Sequence, residues 1–224
     1  MNKITEIKSN LFAFGCSHTY GHGLPDCIEK NNAPGPYPSR QGFATHVATD
    51  LHKNIVNYGE PGASNKQILW ILLNALDKIT PNDSVMIQWS YTERSARFQT
   101  ENKQTKIEKI TPWSLDKVSN VYYKHIHTNV NDVYTAALCI NHAHLVLKDR
   151  GVSKVLQFRP PSQNGTTTEM KETLDKLLHS DIQLFNKNLS DYHVDEAQDG
   201  THAGLKSNIL FANAIVDSYG HILK

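Results

Sequence analysis

The sequence carries no excess of charge of either sign. Lys and Arg number 23 and Asp and Glu number 22 among 224 residues, which gives a formal net charge of +1 at pH 7. This balance gives no electrostatic reason to expect binding to nucleic acid or to an anionic membrane surface. We therefore expect neither as a partner.

Cysteine is scarce, and the amino terminus lacks a long apolar run. Cys16, Cys27 and Cys139 form an odd set with no Cys-x-x-Cys spacing, which is typical of a reducing compartment and argues against a disulfide framework. Residues 1–10 are mostly polar, and the first apolar run is too short for a signal-peptide core or a membrane span. We expect a cytoplasmic protein without membrane association.

The chain does contain a regular alternation of strand and helix patterns. Its length fits one domain, so we assign residues 1–224 to a single domain. Apolar runs predict strands at 11–14, 55–58, 84–89 and 152–158, and helical spacing predicts helices at 41–52, 64–76, 120–150 and 202–223. The order predicts a flavodoxin-like three-layer α/β sandwich, a small parallel sheet with helices on both faces. Residues 93–116 read as a polar excursion, 162–170 as a loop and 171–190 as mixed helix and loop.

Ser17 follows the first predicted strand, where the apolar run meets a polar loop. An open α/β sheet keeps its chemistry at such strand ends. A serine hydroxyl becomes a good nucleophile when a base takes its proton and a third group orients the base. Asp199 and His202, three residues apart, offer that pair. The alternative is that Asp199 caps the last helix and His202 is an ordinary first-turn residue.

Three short motifs lie in order along nearly the whole chain: residues 15–19 (Gly-Cys-Ser-His-Thr), 57–64 (Asn-Tyr-Gly-Glu-Pro-Gly-Ala-Ser) and 199–202 (Asp-Gly-Thr-His). Together they resemble the SGNH (GDSL-type) hydrolases. The resemblance implies that Ser17 is the nucleophile, His202 the general base and Asp199 the acid that orients it. It also implies an oxyanion hole that includes the backbone N–H groups of Ser17 and Gly62.

One motif of that family is altered. Members carry a Gly-x-Asn-Asp block after the third strand, whose asparagine completes the oxyanion hole, whereas residues 89–94 here are Trp-Ser-Tyr-Thr-Glu-Arg. Aligning the strand ends puts Thr92 in the asparagine's place, so the resemblance implies Thr92 as a third oxyanion donor. The nucleophile elbow Gly-x-Ser-x-Gly of the α/β-hydrolases does not fit, because Thr19 occupies its second glycine.

Three further residues are candidates for binding substrate. Arg94 and Arg159 lie just past predicted strand ends and suit a carboxylate or phosphate on the substrate, with an exposed salt bridge as the alternative for each. His18 follows the proposed nucleophile and would line the pocket. His18 and His22 are also conceivable metal ligands, but no cysteine or carboxylate cluster completes a ligand set. We expect no metal and no cofactor.

These patterns together predict a serine esterase that hydrolyses an O-acyl ester of a small molecule or carbohydrate, an acetylated sugar being one candidate. Two alternatives stay open. The chain could keep the fold as a binding or structural module without hydrolysis, or it could transfer the acyl group to an acceptor other than water. The sequence does not define the oligomeric state.

Overall fold

The structure, a computed structural model, describes residues 9–161 and 168–224. In this part of the chain a five-stranded, all-parallel sheet forms the centre. Its strands are β1 (Asn10–Gly15), β2 (Asn54–Gly59), β3 (Ser84–Gln88), β6 (Lys154–Phe158) and β7 (Leu184–Phe185), while β4 (Ser95–Glu101) and β5 (Gln104–Ile110) pair as a separate antiparallel hairpin. The sheet order is β2-β1-β3-β6-β7, so β1 lies between β2 and β3.

Helices cover both faces of the sheet. They are α1 (Ser17–Tyr20), α2 (Phe43–Asp50), α3 (Asn65–Ala75), α4 (Lys117–His125), α5 (Asn129–Asp149), α6 (Thr168–Leu177) and α7 (Leu205–Leu223), with short 3-10 turns at Lys30–Asn32, Leu76–Lys78 and Leu189–Tyr192. Buried side chains of α3, α5 and α6 share one apolar cluster, and those of α2 and α7 share another. The predicted three-layer α/β sandwich is confirmed.

The first strand shows why both faces are covered. Phe12 and Phe14 belong to the cluster under α3 and α5, whereas Leu11 and Ala13 belong to the cluster under α2 and α7. Successive side chains of a strand point to opposite faces, so an unbroken apolar run needs a helix layer on each side. The parallel register brings the carboxyl ends of the strands to one edge, with Gly15 opposite Gly59 and Gln88 opposite Phe158. We call this edge the carboxyl edge.

Residues 93–116 are more regular than predicted, because they contain the β4–β5 hairpin. Its pairing runs from Ser95 opposite Ile110 to Glu101 opposite Gln104. Asn102 and Lys103 both have positive φ (52° and 64°), as a two-residue type I′ turn requires. Most of the hairpin is exposed on both faces, so its sequence lacks the apolar alternation that marks a half-buried strand.

The single helix predicted at 120–150 is wrong. α4 ends at His125, and α5 begins at Asn129 with Thr128 as its N-cap, whose Oγ1 accepts a hydrogen bond of 3.2 Å from the N–H of Asn131. The apolar spacing continues through the break and therefore conceals it. Gly151 follows the end of α5 with φ +75°, the left-handed conformation that glycine adopts after a helix.

The last helix begins at Leu205 and not at His202, so both Asp199 and His202 lie in the preceding loop. Its first free N–H groups, on Lys206 and Ser207, donate to the carboxylate of Asp195 at 3.0 and 2.8 Å. The alternative assignment of Asp199 as the cap of this helix is therefore wrong.

Some predictions cannot be compared with the structure. The amino-terminal segment 1–8 and most of the loop predicted at 162–170 lie outside the described residues. Among the residues that are described, no helix is long and apolar enough to span a membrane. Cys16, Cys27 and Cys139 are free and buried.

Candidate active site

Ser17 lies at the carboxyl edge, directly after β1. The strand ends at Gly15, Cys16 is extended, and Ser17 begins the four-residue helix α1. Its carbonyl oxygen accepts hydrogen bonds from the N–H groups of Gly21 (2.9 Å) and His22 (3.0 Å). Ser17 is only 6% exposed. The neighbouring Cys16 belongs to the apolar cluster under α3 and α5.

Asp199 and His202 form a tight hydrogen-bonded pair. Oδ2 of Asp199 and Nδ1 of His202 are 2.5 Å apart, and Oδ1 accepts from the backbone N–H groups of His202 (3.0 Å) and Thr201 (3.1 Å). Oδ2 of Asp199 thus holds the His202 ring, while Oδ1 orders the backbone turn. This contact fixes the proton of the ring on Nδ1 and leaves Nε2 as the proton acceptor.

The electrostatics of the pair favour a charged carboxylate and a neutral ring. Burial would raise the pKa of Asp199, but the hydrogen bonds from His202 and Thr201 outweigh it and hold this pKa well below its ordinary value. Burial lowers the pKa of His202, the Asp199 contact opposes this shift, and the nearby His22 and Arg94 add to it. A neutral imidazole beside a carboxylate is the form that accepts a proton.

The ring of His202 contacts two histidines, His18 within helix α1 and His22 just after it. Its centroid is 5.8 Å from that of His18, edge to face, and 4.6 Å from that of His22. Burial lowers the pKa of His18 to about 3, and the nearness of His202 and Arg94, which would repel a second positive charge, adds to the shift, so His18 stays neutral. Within the described residues, Ser17 Oγ and His202 Nε2 have no hydrogen-bond partner. The structure brings the motifs together without a bond between these two atoms.

Gly62 sits in the turn between β2 and α3. Its φ is +76°, and its backbone N–H finds no acceptor within residues 9–161 and 168–224. Lys109 of β5 braces this turn by donating from Nζ to Oε1 of Glu60 (2.7 Å) and to the carbonyl of Pro61 (2.5 Å). The hairpin is therefore tied to the candidate oxyanion turn, a connection that no sequence pattern indicated.

Thr92 is engaged elsewhere along the carboxyl edge. Its Oγ1 lies 3.4 Å from Oε2 of Glu93, and its N–H donates to the carbonyl of Pro161 at 3.3 Å. The residue lines a cavity of about 30 Å³ together with Arg159 and side chains of α5 and α6. Its role as an oxyanion donor stays a prediction.

The two candidate arginines differ in their surroundings. The Arg94 guanidinium is sandwiched between the rings of Tyr91 and Trp113, 4.8 Å from each centroid, and donates to Oγ of Ser90 at 3.1 Å. Arg159 instead donates to Asp175 of α6 and to Asn186 after β7, each at 2.7 Å. Arg94 is thus close enough to influence the pKa of both His18 and His202, whereas two nitrogens of Arg159 are committed to protein partners.

A residue that the sequence analysis missed is Asn65, the first residue of α3. It is 3% exposed, and its Oδ1 accepts a hydrogen bond of 2.7 Å from the N–H of Ser90. The sequence does show an asparagine directly after the helix-capping Ser64. A side chain at that position is equally compatible with exposure to solvent, so the sequence alone does not mark it as part of a site.

Within the described residues, two clusters have donor atoms within 4.8 Å of one another, close enough to share a metal ion. The first joins His22 to the Asp199–His202 pair, and the second consists of His144, His179 and Asp181. In the first, Asp199 and His202 are already bonded to each other and His22 Nε2 lies 2.9 Å from the carbonyl of Asn32. The first cluster is therefore satisfied as a hydrogen-bonded group.

No protein-family model and no curated protein matches the sequence. Solved structures share its fold. The psychrotrophic esterase EstA from Pseudoalteromonas sp. has a TM-score of 0.57 and 11% identity, covering 96% of this chain and 98% of its own. A carbohydrate acetylesterase family member from Sinorhizobium meliloti has a TM-score of 0.56 and 12% identity, and the match covers 96% of this chain and 99% of that protein. The aryl esterase of M. smegmatis has a TM-score of 0.53 and 13% identity, and the match covers 96% of this chain and 100% of that protein. The chain therefore has the α/β fold of these proteins over nearly its whole length.

Proposed function

We propose that the protein is a serine esterase that cleaves O-acyl esters, with Ser17 as nucleophile, His202 as general base and Asp199 as the residue that orients it. The observation that carries the proposal is the 2.5 Å contact between Asp199 and a half-buried His202 whose ring stands beside the Ser17 helix. The fold shared with solved esterases adds support by analogy.

In the proposed mechanism, Ser17 Oγ attacks the acyl carbon while its proton passes to Nε2 of His202. The carbonyl oxygen becomes an oxyanion, which the N–H groups of Ser17 and Gly62 stabilise. When the oxyanion collapses, the ester C–O bond breaks and His202 returns the proton to the departing alcohol. Water then attacks the acyl carbon and gives a proton to His202, which passes it to Ser17 Oγ as the bond between Oγ and the acyl carbon breaks and the acid is released. The Ser17–His202 hydrogen bond forms with substrate, because such bonds tighten in the occupied site.

The surroundings of the site suit a polar substrate. Arg94, held between Tyr91 and Trp113, presents a guanidinium with donors for hydroxyl or carboxylate oxygens, and Trp113 is 52% exposed. An exposed indole next to a cation is a suitable surface for a sugar ring. We propose a small-molecule or carbohydrate ester, acetylated carbohydrate included, with Arg94 and His18 contacting it.

The experiment is turnover of p-nitrophenyl acetate and of an O-acetylated monosaccharide by the wild type and by Ser17→Ala. We expect the wild type to release acetate and the variant to lose roughly a thousandfold or more of kcat, as loss of a triad member does. Ser153→Ala, an exposed serine before β6, is the matched control and should keep full activity.

The outcomes separate the alternatives. If the folded wild type turns over substrate no faster than Ser17→Ala, the esterase proposal is wrong and the alternative of a binding or structural module is favoured. Release of less acetate than alcohol when a second alcohol is added, with the acetyl group found on that alcohol, would identify acyl transfer in place of hydrolysis.

A further inference from the structure

The order of the strands places Asn65 over the end of β1. Asn65 follows β2 and binds the N–H of Ser90, which follows β3, at 2.7 Å. In the sheet, β1 lies between β2 and β3. A hydrogen bond between residues that follow the two outer strands therefore lies near the carboxyl end of the middle strand, after which Ser17 begins α1.

The orientation of the Asn65 amide follows from this bond. Because a backbone N–H can only donate, the atom that faces Ser90 must be the amide oxygen, and Nδ2 must occupy the other side. Nδ2 has no acceptor within the described residues, and it is not among the fully buried polar atoms without a partner. Although Asn65 is 97% buried, its Nδ2 therefore keeps some contact with solvent, and its two N–H donors are unpaired within the described residues.

The position of Asn65 in its helix adds to the effect. It is the first residue of the eleven-residue helix α3, and the preceding Ser64 accepts from the N–H of Gln67 at 3.3 Å. The amino end of a helix carries partial positive charge, which favours an anion nearby. Gly62, with its unpaired N–H, lies only three residues before Asn65.

We infer that Nδ2 of Asn65 is a catalytic hydrogen-bond donor to the oxyanion, joining the backbone N–H groups of Ser17 and Gly62. This inference rests on the proposed function. It assigns the amide donor to the start of α3, where the asparagine block after the third strand is absent, and it replaces Thr92, whose hydroxyl faces Glu93. The carboxamide is held by Ser90, so the donor needs no reorganisation during the reaction.

The test is Asn65→Asp, which keeps the oxygen that accepts from Ser90 and removes the N–H donors. We expect kcat on p-nitrophenyl acetate to fall roughly a hundredfold or more, with KM changed little, as for loss of one oxyanion donor. Asn74→Asp on the exposed side of the same helix adds the same charge and should keep wild-type kcat. Thermal unfolding of both variants verifies that they fold.

The outcomes distinguish this inference from the function on which it rests. A wild type without esterase activity would overturn the proposed function and the oxyanion role with it. An active wild type matched in kcat by a folded Asn65→Asp would overturn the role of Asn65 alone. A large loss in Thr92→Val together with full activity in Asn65→Asp would return the donor to Thr92.

Discussion

His202 can act as a general base only while its ring is uncharged. Burial keeps the pKa of this ring below the ordinary 6.5, and Asp199 limits the shift by favouring the charged form. His18, whose pKa burial lowers to about 3, adds no charge beside it. At neutral pH the Asp199 carboxylate therefore faces a neutral His202 ring, with the neutral ring of His18 and the guanidinium of Arg94 nearby.

The pH profile should reflect this balance. We predict that kcat/KM is level between pH 7 and 8 and declines at more acid pH as His202 takes up a proton, with a midpoint below the ordinary pKa of a histidine. In Asp199→Asn, kcat should fall roughly a thousandfold to ten-thousandfold. The acid limb should also move to lower pH, because the variant loses the carboxylate that raises the pKa of His202. Initial rates across the pH range measure both effects, and an acid limb that moved upward would contradict the assignment.

The sequence was sufficient to propose Ser17, Asp199 and His202, because two motifs and the strand–loop boundary mark them. It was not sufficient for Asn65. The relevance of that side chain depends on β1 lying between β2 and β3, and a strand order is not encoded in local spacing. The same limit applies to Arg159, whose partners Asp175 and Asn186 are 16 and 27 residues away.

At the scale of elements, α3 is the helix that we propose presents donors to the oxyanion. Its turn carries Gly62, its N-cap is Ser64, and its first residue is Asn65. α3 packs beside α5 in the apolar cluster on the same face of the sheet. Movement of the amino end of α3 would therefore displace the two proposed donors on Gly62 and Asn65 without touching Ser17 or His202.

Ser64→Ala tests this dependence. Loss of the cap should lower the free energy of unfolding by about 1 kcal/mol, and displacement of the helix start should lower kcat roughly tenfold. Thr128→Ala removes the corresponding cap of α5, away from the site, and should lose similar stability with unchanged kcat. Urea unfolding and initial rates measure the two effects. If the two variants have equal kcat, the position of the amino end of α3 does not affect catalysis, and this prediction is wrong.

The sequence predicted most accurately the strands that are covered by helices on both faces of the sheet, and it predicted exposed or very short elements poorly. The core strands β1, β3 and β6 are apolar runs whose pattern survives in the sequence. The β4–β5 hairpin is exposed over most of its length, β7 has only two residues, and the break between α4 and α5 interrupts no apolar spacing. Such features depend on turn conformation and tertiary contacts, which the spacing of apolar residues along the sequence does not reveal.

At the scale of the whole molecule, the site is assembled from both ends of the chain. The segment after β1 meets the loop before α7, where the N–H of Gln198 donates to the carbonyl of Gly23 at 2.9 Å. Gly23 has φ +87°, and a Cβ added there would lie 2.7 Å from Oδ1 of Asp199. The two ends fit together only because position 23 has no side chain.

Gly23→Ala should therefore disturb the catalytic pair. Both its left-handed backbone and its collision with Asp199 oppose a methyl group, and we expect a loss of roughly tenfold or more in kcat. Gly151→Ala is the matched control, because Gly151 also has positive φ (+75°) but its nearest neighbour, Pro81, stands 3.5 Å away. Each variant should lose about 1–2 kcal/mol of stability through backbone strain. Only Gly23→Ala should lose turnover.

The most direct measurement is covalent labelling of the wild type with a fluorophosphonate, followed by peptide mapping in a mass spectrometer. Ser17 Oγ would displace fluoride from phosphorus while His202 takes the proton, which leaves a phosphonyl group on the serine. We predict a single adduct on Ser17, and none at that peptide in Ser17→Ala. A folded wild type that stays unlabelled, or that carries its adduct on another residue, would contradict the assignment of Ser17 as the nucleophile.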